Sequence, residues 1–349
     1  MNILLLYFSA TGNTAYYAEL LARSINARGH RCDLMDIEKH FNTGEIWRAE
    51  PLIPRYINEA ENRLPLEVKL ASAASVQVSA DASVDNVSVS AVDISAALSP
   101  GAGTLIEKAS LKKTFDDLDK YMSNFDIIGF GCPVYFFEPP AVFSSFIKML
   151  KPLDGRKVFT FATHMEGPVW FAQNIRRSLE EKGFSVIGHI DDHIIHTELL
   201  PLAPKWLAGE GVRRFYLSRR LPKIKRKIRF FLDSLNMVKG AVAKDITPAA
   251  FSTAPGMDRF VGGLVEKFLY ASMKYYLGSR ILEEKCVKCG LCAKTCPMNL
   301  IKMDAPGGYP LRTSHCMYCL RCINICPTEA VSYAPLYDNK SRFKGFDKL

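Results

Sequence analysis

Cys286-Val287-Lys288-Cys289-Gly290-Leu291-Cys292-Ala293-Lys294-Thr295-Cys296-Pro297 is followed by Cys316-Met317-Tyr318-Cys319-Leu320-Arg321-Cys322-Ile323-Asn324-Ile325-Cys326-Pro327. Both stretches read Cys-x2-Cys-x2-Cys-x3-Cys-Pro. Each cysteine of the first recurs 30 positions later, so the segment is an internal duplication. The spacing has a physical reason. Three thiolates, each separated from the next by two residues, wrap a tight turn around three irons of a cube. The fourth begins a helix that points away and ligates the other cube. The runs therefore predict two [4Fe–4S] clusters. One uses Cys286, Cys289, Cys292 and Cys326; the other uses Cys316, Cys319, Cys322 and Cys296. Pro297 and Pro327 turn the chain after each crossing ligand. A pair of zinc ribbons is the alternative for Cys-x2-Cys pairs, but it leaves two complete runs in register unexplained.

The remaining composition agrees. Of ten cysteines in 349 residues, only Cys32 and Cys132 lie outside 286–326. A disulfide framework suits small secreted domains without a core, whereas a chain of this length buries its own core and suggests about two domains. The apolar start Met1–Phe8 lacks the basic region and cleavage site of a signal peptide. No apolar run is long enough to span a bilayer. A reducing, cytoplasmic location is the expectation. The formal charge of +9 drops by about 4 if each cluster adds about −2. That excess does not call for nucleic acid.

Over about residues 280–335 the sequence resembles the bacterial two-cluster ferredoxins. The resemblance implies a small α+β domain that moves electrons.

Upstream, residues 2–8 read as a buried parallel strand, and a helical pattern runs on to about Arg28. Between them stands Ser9-Ala10-Thr11-Gly12-Asn13-Thr14. Hydroxyls, a glycine and backbone N–H groups at a helix N-terminus suit a phosphate dianion. The alternative is an ordinary strand-to-helix turn with a good N-cap. Neither a nucleoside triphosphate loop nor Gly-x-Gly-x-x-Gly is present. Further strands are predicted near 31–36, 126–131, 157–162 and 185–190, with helices near 139–150 and 170–183. Alternation of this kind implies a doubly wound, five-stranded parallel sheet. Its ligand loops would be Ser9–Thr14, Pro133–Pro140 and Thr163–Trp170.

These loops resemble those of the flavodoxins, over about residues 1–190. By that resemblance the fold is flavodoxin-like and the cofactor is FMN. Ser9, Thr11, Gly12, Asn13 and Thr14 would hold its phosphate. Pro133, Val134, Tyr135 and Phe136 would flank the isoalloxazine, with Tyr135 stacking. Thr163, His164, Met165, Glu166 and Gly167 would face the pyrimidine edge. The sequence departs from the family in having no glycine beside Tyr135 and no Gly-Asp in the third loop. Taken with the cysteine runs, the chain resembles the flavodoxin-domain ferredoxins of anaerobes.

The expected organisation is a flavin domain over 1–200 with an insertion near 41–110, a basic helical linker over 201–279, the ferredoxin domain over 280–335 and a polar tail over 336–349. Within the linker, 213–239 interleaves Arg and Lys with Phe215, Ile224, Ile228, Phe230 and Phe231. This amphipathic pattern is either a solvated face over the sheet or a docking site for an acidic redox partner. Attachment to a membrane surface is less favoured, and no recognition fold for nucleic acid accompanies the charge. Residues 257–283 carry apolar side chains at roughly helical spacing, read as a helix between the modules. Lys288, Lys294 and Arg321, set between ligands, are expected to raise cluster potentials.

Electron transfer is the function this organisation implies. A reductase with a small molecule over the flavin, and a redox-sensing or assembly factor, are the other classes. No catalytic acid stands out; His164 and Glu166 lie in the relevant loop.

Overall fold

Residues 3–8, Ile-Leu-Leu-Leu-Tyr-Phe, are buried on both sides, as an inner parallel strand requires. The computed structural model describes residues 1–44, 46, 111–135, 138–153, 155–164, 171–194, 210–242, 244, 280–312, 316–332 and 342. In chain order these give β1 (Asn2–Tyr7), α1 (Asn13–Asn26), β2 (Arg31–Asp36), α2 (Ile37–His40), α3 (Leu111–Met122), β3 (Ile127–Pro133), α4 (Ala141–Met149), β4 (Lys157–His164), α5 (Phe171–Glu180), β5 (Ser185–His193) and α6 (Glu210–Ser234).

The five strands form one parallel sheet in the order β2-β1-β3-β4-β5. That is the flavodoxin-like doubly wound order. Alternation along β1 sorts the two cores. Leu4, Leu6 and Phe8 pack with Phe115, Phe143, Phe146, Phe171 and Ile175 from α3, α4 and α5. Ile3, Leu5 and Tyr7 pack with Tyr17, Leu21 and Ile25 of α1 and with Ile224, Ile228 and Phe231 of α6. The basic helix thus lays its apolar stripe on the sheet and completes the second layer.

β3 reads Ile-Ile-Gly-Phe-Gly-Cys-Pro, and its glycines are spatial necessities. A Cβ on Gly131 would stand 2.0 Å from the Phe161 ring, its partner in the β3–β4 register. A Cβ on Gly129 would stand 2.5 Å from Leu5 and 2.7 Å from Phe159.

The C-terminal domain contains β6 (Arg280–Ile281), α7 (Leu291–Lys294), β7 (Ile301–Met303), β8 (Pro310–Arg312), α8 (Arg321–Ile325) and β9 (Val331–Ser332). β6 pairs antiparallel with β9, and β7 with β8. The duplication extends to the backbone. Left-handed residues Lys288, Gly290 and Asn299 recur at Tyr318, Leu320 and Glu329, again 30 positions on. Leu320 adopts φ +58° where the first repeat has glycine. This conformation costs a leucine about 1 kcal/mol, and burial of its side chain at 4% exposure offsets the cost.

Most of the insertion near 41–110, the helix expected over 257–283 up to residue 279 and the tail (except Arg342) lie outside the described residues; Arg280–Ile281, at the end of that expected helix, is instead strand β6, held by its pairing with β9.

Candidate cofactor sites

β1 has β2 on one side and β3 on the other, so the strand order reverses between β1 and β3. Ligands of such sheets bind beyond the carboxyl ends of the strands at this reversal. Three connected features occupy it. Phe8 N–H donates to Gly131 O at 2.9 Å and carries the chain out along β3. Ala15 N–H donates to Ser9 Oγ at 3.1 Å, which pins the loop on the first turn of α1. The Thr14 and Thr163 hydroxyls lie 2.8 Å apart and tie that turn to β4.

Gly12 enters the helix with φ +96°, a conformation that strains any residue with a Cβ, and nothing stands within 4 Å of where one would be. No acidic residue lies in the first turn of α1. The positive end of a fourteen-residue helix is therefore unopposed beneath this loop. Ser9 and Thr14 are buried, while Thr11, Gly12 and Asn13 are partly exposed. A buried hydroxyl frame around an open glycine turn fits a phosphate.

The loop after β3 folds back at once. Tyr135 and Glu138 exchange both backbone hydrogen bonds, at 2.9 and 3.0 Å, and Val134 N–H donates to Thr163 O at 2.9 Å. Val134 and Tyr135 rest half-buried on the sheet core. Burial raises the Glu138 carboxyl above its ordinary range, and a 2.7 Å hydrogen bond from Asn174 opposes that only partly. Phe136, Met165, Glu166, Gly167 and Trp170 lie outside the described residues.

His164 has a second engagement. Its Nε2 lies 3.4 Å from Asp191, which also receives Lys227 Nζ at 2.7 Å and lies 3.4 Å from His189 Nε2. Burial alone would raise the Asp191 carboxyl; the His164, His189 and Lys227 contacts outweigh it and hold the group well below the usual carboxylate range. Arg220 pairs with buried Asp192 at 2.8 Å. This charged cluster escaped the sequence reading. Its only signal was Asp191-Asp192-His193 at the end of an apolar strand.

The eight motif cysteines gather into two groups. Cys296, Cys316, Cys319 and Cys322 line one cavity with Leu320 and Arg321. Cys286, Cys289, Cys292 and Cys326 line a second with Val287 and Leu291. Among the described residues no three His, Cys, Asp or Glu side chains close on a single ion; the thiols wall spaces instead. Burial pushes the Cys322 thiol up to about 12 and raises Cys316, Cys319 and Cys292 as well. Such thiols ionise only when iron supplies the compensating charge, so cluster assembly releases protons. Backbone N–H groups aim at sulfur: Tyr318 N lies 3.3 Å from Cys316 Sγ, and Leu300 N lies 3.4 Å from Cys296 Sγ.

The two domains meet through the first of these cavities. Thr43 Oγ1 donates to Pro297 O at 2.6 Å, and Met298 and Met317 bury themselves in the sheet core. Arg321 lies at the centre of the contact. Its guanidinium donates to Ser9 O at 2.9 Å, to Ala10 O, to Thr295 O at 3.1 Å and to both Glu38 oxygens, one at 2.6 Å. Burial works against its charge, but the Glu38 carboxylate prevails and raises its pKa. Arg321 is thus a paired charge at the seam, in addition to its place between ligands. Lys288 sits 4.2 Å over the Tyr309 ring.

Residues 285–330 match the 4Fe-4S dicluster domain family. Over 49 residues, 14% of this chain and 57% of the relative, the sequence is 41% identical to pyruvate synthase subunit PorD of Methanocaldococcus jannaschii. Over 77 residues, 17% of this chain and 39% of the relative, it is 31% identical to NADH-quinone oxidoreductase subunit I 2 of Streptomyces coelicolor. The chain thus spans about half the length of these curated relatives. Among solved structures, a flavodoxin from the domain Archaea aligns at 11% identity and TM-score 0.31, covering 67% of this chain and 97% of that one. An azoreductase from Bacillus anthracis aligns at 10% and 0.34, covering 67% and 98%. The strand order, rather than these similarities, defines the sheet domain. The molecule joins a flavodoxin-like α/β domain to a ferredoxin domain for two [4Fe–4S] clusters.

Proposed function

We propose that this protein is an electron-transfer iron–sulfur flavoprotein that relays electrons between its two clusters, an FMN and a redox partner. One observation carries the reading. The four-cysteine cavity of Cys296, Cys316, Cys319 and Cys322 is built against the loop at the strand-order reversal, where a doubly wound sheet takes its ligand.

In this reading Ser9, Thr11, Gly12, Asn13 and Thr14 hold the FMN phosphate. Pro133, Val134, Tyr135 and Phe136 flank its ring, and Thr163 through Gly167 lie along its polar edge. The cysteines ligate in the crossed pattern, each cavity taking its fourth thiolate from the other run. FMN supplies the exchange between one-electron and two-electron chemistry. The Ser9 and Thr14 hydroxyls and the α1 N-terminus would orient it. In this reading the sheet domain extends past 200 to include α6 (Glu210–Ser234), and the ferredoxin domain begins near 280.

The curated relatives are named as subunits, which supports a protein partner here. The exposed face of α6 suits an acidic one. Lys223, Lys225, Arg226 and Arg229 are exposed beside Phe215 and Phe230, whereas Arg220 and Lys227 are engaged by Asp192 and Asp191. Among the described residues no helix is long and apolar enough to cross a membrane.

Anaerobic purification with iron, sulfide and flavin analysis tests the reading; about eight irons and one FMN per chain are expected. Zinc without flavin would overturn it. Cys296→Ala should damage the cluster of Cys316, Cys319 and Cys322; damage confined to the Cys286 cluster would reverse the ligand pattern. Partner affinity should weaken as salt rises, and a salt-independent affinity removes docking by charge.

A further inference from the structure

The two cysteine cavities are not equivalent in their surroundings. Cys296 and Cys319 pack against the core of the sheet domain, the same core on which Val134 and Tyr135 rest. Their neighbours Met298 and Met317 are 3% and 9% exposed. Arg321, the first residue of α8, reaches the carbonyls of Ser9 and Ala10 and the Glu38 carboxylate. The other cavity opens away from that contact: Cys289 is exposed, and the flanking Val287 and Leu291 are 61% and 36% exposed. These apolar side chains beside a thiolate are what a protein donor would cover.

We propose that the cavity of Cys296, Cys316, Cys319 and Cys322 holds the flavin-side cluster. The cavity of Cys286, Cys289, Cys292 and Cys326 holds the outward port for an electron-carrying protein. Arg321 is the positioning residue that keeps the inner cluster against the flavin loop. This rests on the FMN and two-cluster reading above and adds the order of transfer. Each transfer oxidises one reduced cluster by one electron and reduces its neighbour. Two such electrons, with two protons from solvent, reduce FMN fully, and the external donor protein is oxidised in two one-electron steps.

Arg321 acts by geometry. Its planar fork holds two backbone carbonyls of the flavin loop and one carboxylate at once. A glutamine in its place would lack both the reach and the charge. Glu38 supports the same grip from outside the cluster loop.

The test uses the anaerobically purified, cofactor-loaded protein, with a reduced small ferredoxin as donor, and follows cluster and flavin bleaching separately by rapid mixing. Arg321→Gln should retain iron, flavin and both cluster resonance signals while flavin bleaching slows by at least about tenfold; cluster bleaching should hold its rate. Glu38→Gln should show the same pattern at about threefold. Both variants should speed amide exchange over residues 8–14, a readout that needs no electron transfer. Val287→Asp should do the reverse, slowing cluster bleaching without altering the later step to flavin. A cofactor-replete Arg321→Gln protein that bleaches flavin at the wild-type rate, or unchanged amide exchange in both variants, overturns the positioning role. Val287→Asp with unaltered cluster bleaching overturns the port. Wild-type protein without FMN or without eight irons defeats the underlying reading, and does so before any variant is compared.

Discussion

The sheet domain and the ferredoxin domain differ in what holds them. In the sheet domain two layers of Phe, Ile, Leu and Tyr cover both faces, and Phe130, Phe143, Phe146, Phe159 and Phe161 are fully buried. In the ferredoxin domain the buried cluster among the described residues is Cys292, Ile301, Tyr318, Leu320, Ile323 and Val331. One of these is itself a motif cysteine, and the paired strands are two or three residues long. The first region carries its own hydrophobic stabilisation. The second is too small for that, and cluster binding becomes part of its folding free energy. The lesson is that one chain can place a cofactor-independent scaffold beside a cofactor-dependent one, and the scaffold sets where the second is held.

The largest expected effect is therefore domain-selective. Stripping iron with an anaerobic chelator should abolish amide protection across 280–332 while β1, β3 and β4 stay protected, as hydrogen exchange will read. Equal loss in both regions would break the comparison. Within the sheet, Gly131→Ala places a methyl group against the Phe161 ring. It should lower stability by about 3 kcal/mol, read as a reduced urea midpoint at unchanged slope.

At the seam, Asp36 offers a smaller effect. Burial raises its carboxyl to about 6 from 3.8 while it caps α2 through a 3.1 Å bond from Glu38 N. A raised acid binds its proton more tightly when folded. Its contribution is fully present below the unfolded value and falls away as pH rises through the folded one. Asp36→Asn keeps the cap and should stabilise the domain near pH 7.5 by at most about 3 kcal/mol, less the attraction of Lys39 and Arg321 that the charge loses. The gain should fall by about half near pH 5. A gain independent of pH would show that the buried charge is not its source. Smallest, Thr14→Val removes the hydroxyl that meets Thr163 and should weaken FMN binding about tenfold, by fluorescence titration, with iron content unchanged.

The sequence was legible where chemistry or periodicity is local. The strands expected near 2–8, 31–36, 126–131, 157–162 and 185–190 appear as Asn2–Tyr7, Arg31–Asp36, Ile127–Pro133, Lys157–His164 and Ser185–His193. Helix α3 went unread because it abuts the insertion, and Ser110, an N-cap type of residue just before it, ends a stretch rich in Ala, Ser and Gly that carries no helical period. The basic helix was legible as amphipathic, and of its two readings the face laid over the sheet is the one its apolar residues adopt; its ion pairs were not legible. The charges of Arg220 and Lys227 belong to Asp192 and Asp191, partners 28 and 36 positions away.

By itself the sequence determined the duplicated cysteine spacing, the parallel α/β pattern and the glycine turn at Gly12, because each depends on residues within one element or one turn. Only the tertiary structure decided which cavity faces the sheet domain, and that Arg321 reaches Ser9, Ala10 and Glu38 across more than 280 positions. Contacts of that range leave no period in the sequence. They exist only once two independently patterned surfaces have packed and a buried charge has found its counter-charge.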